Sequence, residues 1–184
     1  MPDMIQDLQN ILFTEEKIKE KVKELGALIS KDYSDKSPIL IGILKGSFIF
    51  LADLARHIDI NCEFRFVTAA SYGFSSISSG NVRIGATDEA DFRDRNLILV
   101  EDILDSGNTI SALHEYLLGC NPKSLKLCAF LDKPARREKM IKLDYIGFEC
   151  PNEFVVGYGL DFAERYRNLP YIAVLKPEIF ADII

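Results

Sequence analysis

Apolar residues along the chain form two kinds of pattern, continuous runs of strand length and runs with helical spacing. Residues 39–44 and 97–100 are continuous apolar runs that predict buried strands, and each precedes apolar positions spaced every three or four residues, as on one face of a helix. Further strand-length runs occur at 62–70, 124–131, 144–148 and 171–175, the last of which is expected to close the sheet. Strands that alternate with helices predict an α/β fold with a mainly parallel sheet flanked by helices.

One helix is predicted before the first of these strands. Thr14 is a residue type that caps helices, and the apolar positions after it recur with helical spacing on one face. These positions are Ile18, Val22, Leu25 and Ile29.

The size and composition of the chain fit one compact unit. It has 184 residues, of which 48% are hydrophobic, so we expect a single domain over residues 1–184. No apolar run approaches the roughly 20 residues that span a bilayer, and the N-terminus lacks a signal-peptide pattern, so no membrane partner is expected. The four cysteines contain no CxxC pair, which favours buried thiols in a reducing cytoplasm over disulfides or a zinc site.

The charge balance bears on the choice of partner. A formal net charge of −6 argues against nucleic acid as a partner, because nucleic-acid-binding domains are usually basic. A polyanionic small molecule would have to be bound by backbone N–H groups, a divalent cation and a few well-placed basic side chains. The chain supplies candidates for each of these.

The stretch 97–109 places acidic and small polar residues between a predicted strand and a predicted helix. Glu101 and Asp102 follow the apolar run, and Asp105-Ser-Gly-Asn-Thr109 turns the chain into a helix whose apolar positions begin at Ile110. A helix N-terminus exposes N–H groups and attracts anions such as a phosphate. Carboxylates beside it can hold a divalent metal or a sugar diol. Together these features predict a ligand that carries both a sugar and a phosphate.

An alternative interpretation is that Asp105, Ser106 and Asn108 only cap the helix. The neighbouring carboxylates of Glu101 and Asp102 weigh against it, because two adjacent negative charges repel each other and gain nothing from a purely structural turn. We therefore interpret the stretch as a ligand site.

A second strand-to-helix junction, Lys45-Gly46-Ser47, follows the apolar run 39–44. The carboxyl ends of neighbouring strands in an open parallel sheet lie at one edge, where ligands bind. Lys45 is therefore expected to point into the same crevice as Glu101, although a surface lysine before a helix is a common alternative.

Both junctions resemble segments of the type I phosphoribosyltransferases. The stretch 97–109 resembles that family's phosphoribosyl-diphosphate-binding motif, and its Val100–Gly107 portion is similar to the version in the 6-oxopurine branch, the hypoxanthine phosphoribosyltransferases. Leu44–Ser47 resembles the family's pyrophosphate loop, in which the Lys–Gly peptide is often cis. The resemblance implies purine salvage, in which the phosphoribosyl group of phosphoribosyl diphosphate is transferred to hypoxanthine, and also to guanine, giving IMP or GMP and pyrophosphate.

Two further segments extend the resemblance to about residues 39–175. Ser71-Tyr72 matches the opening pair of the family's mobile loop, and Gly159–Arg167 closely matches another of its motifs. The resemblance implies the type I phosphoribosyltransferase fold, with a core at about 39–175, a small hood subdomain and a mobile hood loop at about 71–81. A flexible hairpin tip is the alternative interpretation of that loop.

The resemblance also implies which residues hold phosphoribosyl diphosphate. The loop 105–109 would bind the 5′-phosphate, while Glu101 and Asp102 would contact the ribose hydroxyls, directly or through magnesium (Mg²⁺). Asp161 would ligate a second magnesium ion, and Arg167 would grip the pyrophosphate. The metal ligands expected are thus Glu101, Asp102 and Asp161.

Other residues are implied to contact the base. Asp105 would lie near N7 of the purine and take its proton, Lys133 would donate to the 6-oxo group, Phe154 would stack on the ring, and the Val155 backbone would read its edge. The expected substrate-contacting residues are Lys45, Gly46, Ser71, Tyr72, Glu101, Asp102, Ile103, Asp105, Ser106, Gly107, Asn108, Thr109, Lys133, Phe154, Val155, Leu160, Asp161 and Arg167.

Three alternatives to this interpretation of the function remain. One is a phosphoribosyltransferase that prefers guanine or xanthine, because Lys133 does not distinguish the 6-oxopurines from each other. Another is a nucleotide-sensing regulator with the same fold, which the acidic charge and the retained Asp105 disfavour. A phosphatase with an aspartyl nucleophile would need an acidic motif at an early strand end, and residues 39–44 have no carboxylate. The resemblance further implies a homodimer or homotetramer.

Overall fold

A computed structural model describes residues 2–68 and 89–181. The described strands are β1 (Leu8–Phe13), β2 (Ile39–Leu44), β3 (Glu63–Thr68), β4 (Asn96–Leu104), β5 (Ser124–Asp132), β6 (Tyr145–Glu149), β7 (Val155–Val156) and β8 (Ile172–Leu175). The described helices are α1 (Pro2–Gln6), α2 (Glu15–Asp32), α3 (Phe48–Arg56), α4 (Asn108–Gly119) and α5 (Pro177–Phe180). Short 3-10 turns occur at Glu89–Phe92 and Pro134–Arg136.

The larger sheet has five parallel strands in the order β3-β2-β4-β5-β6. Its central strands β2 and β4 are the two continuous apolar runs, because both of their faces are covered and neither face can be polar. The predicted α/β fold with a mainly parallel sheet is confirmed.

Side chains that alternate along the central strands pack into two separate clusters. Leu40 and Ile98 belong to the cluster that contains the apolar faces of α2 and α3. Ile41 and Leu99 belong to the cluster that contains the apolar face of α4. The sheet therefore has helices on both sides, and its strands cannot shift register by one residue without exchanging the two faces.

Helix α2 agrees with its sequence pattern. The hydroxyl of Thr14 accepts a hydrogen bond from the backbone N–H of Lys17 at 3.4 Å, and the helix begins at Glu15. The four predicted core positions are all buried, namely Ile18, Val22, Leu25 and Ile29.

The prediction that residues 171–175 close the parallel sheet is wrong. Strand β8 instead lies in a separate antiparallel sheet of order β1-β8-β7, where it pairs with both neighbours. A third apolar cluster packs on this sheet and includes Val156, Tyr166 and Leu175. The resemblance implied a small subdomain beside the core, and this second sheet is separate from the parallel one. The hood loop at about 71–81, with Ser71 and Tyr72, lies outside the described residues.

No helix among residues 2–68 and 89–181 is long and apolar enough to cross a membrane.

Candidate active site

The carboxyl ends of β2 and β4 border a cavity of about 290 Å³. The expected site residues that line it are Lys45, Gly46, Glu101, Asp102, Ile103, Asp105, Ser106, Gly107, Thr109, Asp161 and Arg167. A larger and more open groove of about 600 Å³ is lined by residues 34–37 and 58–61, none of which was expected to bind substrate. The smaller cavity is the candidate site because the chemistry converges there and the larger groove is a shallow polar depression.

The turn before α4 is shaped to receive an anion. Gly107 precedes the helix with a left-handed φ of 86°, so the residue at the cap position has no side chain with which to cap it. The nearest side-chain acceptor described for the first turn is the Ser106 hydroxyl, 3.4 Å from the N–H of Asn108. The carbonyl of Ser106 accepts hydrogen bonds from the backbone N–H groups of Glu138 and Lys139, at 2.9 and 3.1 Å. These bonds hold the turn against the segment that carries Glu138 and Lys139.

The side chain of Asn108 does not line the cavity. Its amide donates a 2.7 Å hydrogen bond to the Glu138 carboxylate, which anchors the start of α4 to the segment after β5. Its backbone N–H, which donates a long 3.4 Å hydrogen bond to the Ser106 hydroxyl, is the group left for the phosphate contact that the resemblance implies.

The two carboxylates at the end of β4 differ in their surroundings. Asp102 is 8% exposed, and its Oδ1 accepts a 2.9 Å hydrogen bond from the N–H of Ile103. The buried Oε2 of Glu101 has no hydrogen-bond partner among the described residues. Burial, together with the neighbouring Asp102, raises the pKa of Glu101 well above its ordinary value. A carboxylate pair of this kind gains stability from a cation.

Magnesium fits this pair better than it fits Asp161. Within the described residues there is no cluster of three or more acidic, histidine or cysteine side chains that could hold a metal alone. Magnesium is usually held by one or two carboxylates together with substrate phosphates and water, which is what Glu101 and Asp102 offer. Asp161 is already engaged, because it lies 2.8 Å from Arg167 and accepts a 2.9 Å hydrogen bond from the N–H of Glu164.

The loop after β2 contacts Asp102 closely. A Cβ added to Gly46 would lie 1.8 Å from Asp102 Oδ2, so only glycine fits there. The cis peptide bond in this loop joins Leu44 to Lys45. The family resemblance suggested a cis bond between Lys45 and Gly46, so it indicated the correct loop but the wrong peptide bond.

Two basic side chains border the cavity and both have acidic partners. Lys45 Nζ lies 3.1 Å from Glu164 Oε1. Arg167 donates to the Gly159 carbonyl at 2.8 Å, and its Nη2 lies 2.8 Å from Asp161 Oδ1 and 3.4 Å from Glu164 Oε2. The Lys45 hydrogen bond keeps the pKa of Glu164 below its ordinary value, so this carboxylate is charged.

Four further residues expected to contact substrate also do not line the described cavity, namely Lys133, Phe154, Val155 and Leu160. Lys133 is 5% exposed and donates a 2.8 Å hydrogen bond to the Glu153 carbonyl. Phe154 stacks on Phe180 with ring centroids 4.9 Å apart. The remaining two, Val155 and Leu160, are buried. Phe154 and Val155 lie next to or in the short strand β7, and Leu160 directly precedes Asp161, which lines the cavity.

Two arginines that were not predicted as site residues contact Asp105. Arg137 donates to the carbonyls of Asp105 and Leu104, at 3.1 and 3.2 Å, and forms an ion pair with Asp132. Arg136 Nε lies 3.5 Å from Asp105 Oδ1, which is buried and accepts no hydrogen bond within the described chain. Both arginines belong to the run 132–137, in which the family resemblance assigns a role only to Lys133.

Comparison with known proteins places the chain in a family. The phosphoribosyl transferase domain family matches residues 9–163. A hypoxanthine-guanine phosphoribosyltransferase of Bacillus subtilis is 49% identical over 177 residues, which is 96% of this chain and 98% of that protein. The bifunctional protein TilS/HprT of Listeria innocua is 46% identical over 97% of this chain, which spans 28% of that longer protein.

Solved structures give the same result. A hypoxanthine phosphoribosyltransferase of Staphylococcus aureus superposes with a TM-score of 0.89 at 43% identity and covers 97% of each chain. A hypoxanthine phosphoribosyltransferase of Trypanosoma cruzi superposes with a TM-score of 0.88 at 36% identity over 95% of this chain and 99% of that one. The chain therefore belongs to the phosphoribosyltransferase family, among the hypoxanthine-guanine phosphoribosyltransferases.

Proposed function

We propose that this enzyme acts in purine salvage and transfers the 5-phosphoribosyl group of phosphoribosyl diphosphate to hypoxanthine, and also to guanine. A purine ring nitrogen bonds to the anomeric carbon as the bond from that carbon to the pyrophosphate oxygen breaks. The products are IMP or GMP and pyrophosphate. The observation that carries the proposal is the convergence on one cavity of an anion-binding turn, a carboxylate pair and two basic side chains.

The turn and the carboxylates hold the sugar phosphate. Backbone N–H groups of residues 106–109 bind the 5′-phosphate at the start of α4, where the helix dipole favours a negative charge. Glu101 and Asp102 bind the ribose hydroxyls. When bound there, magnesium neutralises charge on the diphosphate and makes it a better leaving group. Positioning the two substrates in line removes much of the entropic barrier to their reaction.

The two basic side chains bind the leaving group. Lys45 and Arg167 both pair with Glu164, and both line the cavity. A guanidinium matches the oxygens of a phosphate in a forked geometry, and a lysine adds a point charge. We assign Asp161 to a second magnesium ion, for which it must give up its ion pair with Arg167.

Asp105 accepts a proton from the purine base. As the purine forms its new bond, it loses the proton on N7, and the Asp105 carboxylate accepts it as a general base. The backbone of Asp105 is held by Arg137, and its side chain is not consumed in capping α4. Ile103 and Leu160 contact the substrates at the margins of the site.

Three residues beside the cavity recognise the base. Lys133 donates to the 6-oxo group, which adenine lacks, so its charge selects 6-oxopurines. Phe154 stacks on the purine ring and the Val155 backbone reads its edge. Ser71 and Tyr72 lie outside the described residues, and their assignment to substrate contact rests on the family resemblance alone.

We also propose a homodimer or homotetramer located in the cytoplasm. The aromatic side chains of Phe64 and Phe66 are 37% and 46% exposed on β3, which is the outermost of the described strands of the large sheet, as is typical of an interface. The four cysteines are all thiols, as is usual in a reducing compartment. Sedimentation analysis of the purified chain measures its assembly state directly.

A turnover assay tests the proposed reaction. Purified enzyme is supplied with phosphoribosyl diphosphate, magnesium and one of hypoxanthine, guanine, xanthine or adenine, and the nucleotide is quantified. We expect turnover with hypoxanthine and guanine and none with adenine. A preference for xanthine would favour the alternative enzyme, and tight binding of the substrates without turnover would favour a nucleotide-sensing regulator.

A further inference from the structure

Glu164 lies between the two cations that border the cavity. Its Oε1 is 3.1 Å from Lys45 Nζ, and its Oε2 is 3.4 Å from Arg167 Nη2. One carboxylate thus bridges a lysine from the loop after β2 and an arginine from the segment before β8. No other acidic side chain among the described residues contacts both cations.

The backbone places this carboxylate with a tight turn. Phe162 and Arg165 form an isolated bridge with reciprocal hydrogen bonds of 3.0 and 3.2 Å. Between them, Ala163 and Glu164 both adopt left-handed backbone angles, with φ of 51° and 61°. The N–H of Glu164 donates to Asp161 at 2.9 Å. Left-handed angles at both central positions are those of a type I′ turn, which usually carries Gly, Asn or Asp at these positions.

The ion pairs of Glu164 do little for the stability of the fold. The side chains of Glu164 and Lys45 are 65% and 68% exposed, and exposed ion pairs of this kind contribute little because water and salt screen them. Their main effect is on the net charge of the site to which a ligand binds. Lys45 and Arg167 together carry two positive charges, which Asp161 and Glu164 balance.

We propose that Glu164 is a resident anion that occupies the cations of the diphosphate site and competes with the diphosphate group for them. The inference rests on the proposed function, since that function assigns Lys45 and Arg167 to the diphosphate. Glu164 must leave both cations when phosphoribosyl diphosphate binds, and it returns to them when pyrophosphate departs. It therefore weakens substrate binding and speeds the release of pyrophosphate.

Calorimetric titration with inorganic pyrophosphate and magnesium chloride tests the proposal. The variants are Glu164→Gln, which removes the charge and keeps the shape, and Glu164→Ala, which removes the whole carboxylate. Both should bind pyrophosphate about three to ten times more tightly than the wild type at low ionic strength, because each removes one negative charge beside the bound polyanion. The gain should shrink at high salt, and the dissociation rate should fall in proportion.

A matched control removes the same charge elsewhere. Glu20 is exposed on α2 and lines neither cavity, so Glu20→Gln should leave the pyrophosphate affinity unchanged. If Glu164→Gln binds pyrophosphate only as tightly as Glu20→Gln does, Glu164 is a surface residue and the inference is wrong while the diphosphate site stands. If both Glu164 variants bind more weakly, the carboxylate supports the loop and the inference is also wrong. If the wild type does not bind pyrophosphate, both the diphosphate assignment and the inference fail.

Discussion

Lys133 shows at the scale of one residue what the sequence could predict and what it could not. Its place directly after β5 identified it as a side chain at the ligand edge of the sheet. Its burial and its hydrogen bond to the Glu153 carbonyl depend on a segment 20 residues further along the chain. Arg137 was missed for the same reason, because its acceptors are the backbone carbonyls of Leu104 and Asp105. Backbone acceptors leave no mark in a sequence.

Substitution of Lys133 tests its assigned contact with the base. A hydrogen bond from a charged donor contributes about 1.5–3 kcal/mol, so Lys133→Ala should raise KM for hypoxanthine roughly 10- to 150-fold and leave KM for phosphoribosyl diphosphate nearly unchanged. Lys142, which is exposed, provides the control in Lys142→Ala. Steady-state kinetics with each substrate varied measures both constants. A loss of thermal stability with no change in KM for the base would show that Lys133 only anchors residue 153.

At the scale of the element, the strand-to-helix junctions were predictable and the antiparallel pairing was not. Continuous apolar runs followed by small polar residues marked the ends of β2 and β4, because a strand buried on both faces has no polar positions. Strand β1 was not predicted, since its partner β8 lies about 160 residues away. Strand β7 has only two residues, which is too short for a recognisable pattern. A pattern local to one segment cannot show a pairing of that separation.

The close contact between Gly46 and Asp102 gives a prediction for the junction after β2. A methyl group at Gly46 would overlap Asp102 Oδ2 at 1.8 Å, so Gly46→Ala should displace the carboxylate or the loop and cost about 1–3 kcal/mol of stability. The dissociation constant for phosphoribosyl diphosphate should rise at least tenfold, measured by calorimetry.

Gly119 provides the control for this substitution. Nothing lies within 4 Å of a Cβ added there, at the end of α4, so Gly119→Ala should change neither stability nor binding appreciably. Equal affinity in both variants would show that the loop is loose enough to absorb the methyl group and that Asp102 is not confined by it.

For the whole molecule, charge is the main constraint. A chain with a net charge of −6 binds a substrate that is itself a polyanion, and its two cavity cations are already balanced by Asp161 and Glu164. Backbone N–H groups alone do not offset this repulsion. The overall charge and the Glu101-Asp102 pair led to the prediction of a divalent cation, but the sequence could not show that Asp161 is paired with Arg167.

Removal of divalent cations tests this constraint. Turnover of hypoxanthine should fall to background in excess chelator and return when magnesium is added, because the carboxylates and the diphosphate otherwise repel each other. A titration of initial rate against free magnesium measures the dependence. Undiminished turnover in chelator would mean that Glu101 and Asp102 act without a metal.

Asp105 directly precedes the turn assigned to the 5′-phosphate, and it is the residue assigned to accept the proton of the base. Asp105→Asn keeps the shape of the side chain and can still hydrogen-bond, but it cannot accept the proton from the purine. Loss of a general base typically lowers the rate about 10²- to 10⁴-fold. The turn at 106–109 and the carboxylates of Glu101 and Asp102 remain in this variant, so phosphoribosyl diphosphate should still bind.

The most direct measurement is therefore a paired one on Asp105→Asn, with single-turnover formation of IMP in one experiment and the dissociation constant for phosphoribosyl diphosphate in the other. We predict a fall in the rate of IMP formation of at least 100-fold, with a dissociation constant within a few-fold of the wild type. A rate within a few-fold of the wild type would show that Asp105 is not the base, and a collapse of binding would show that its role is structural.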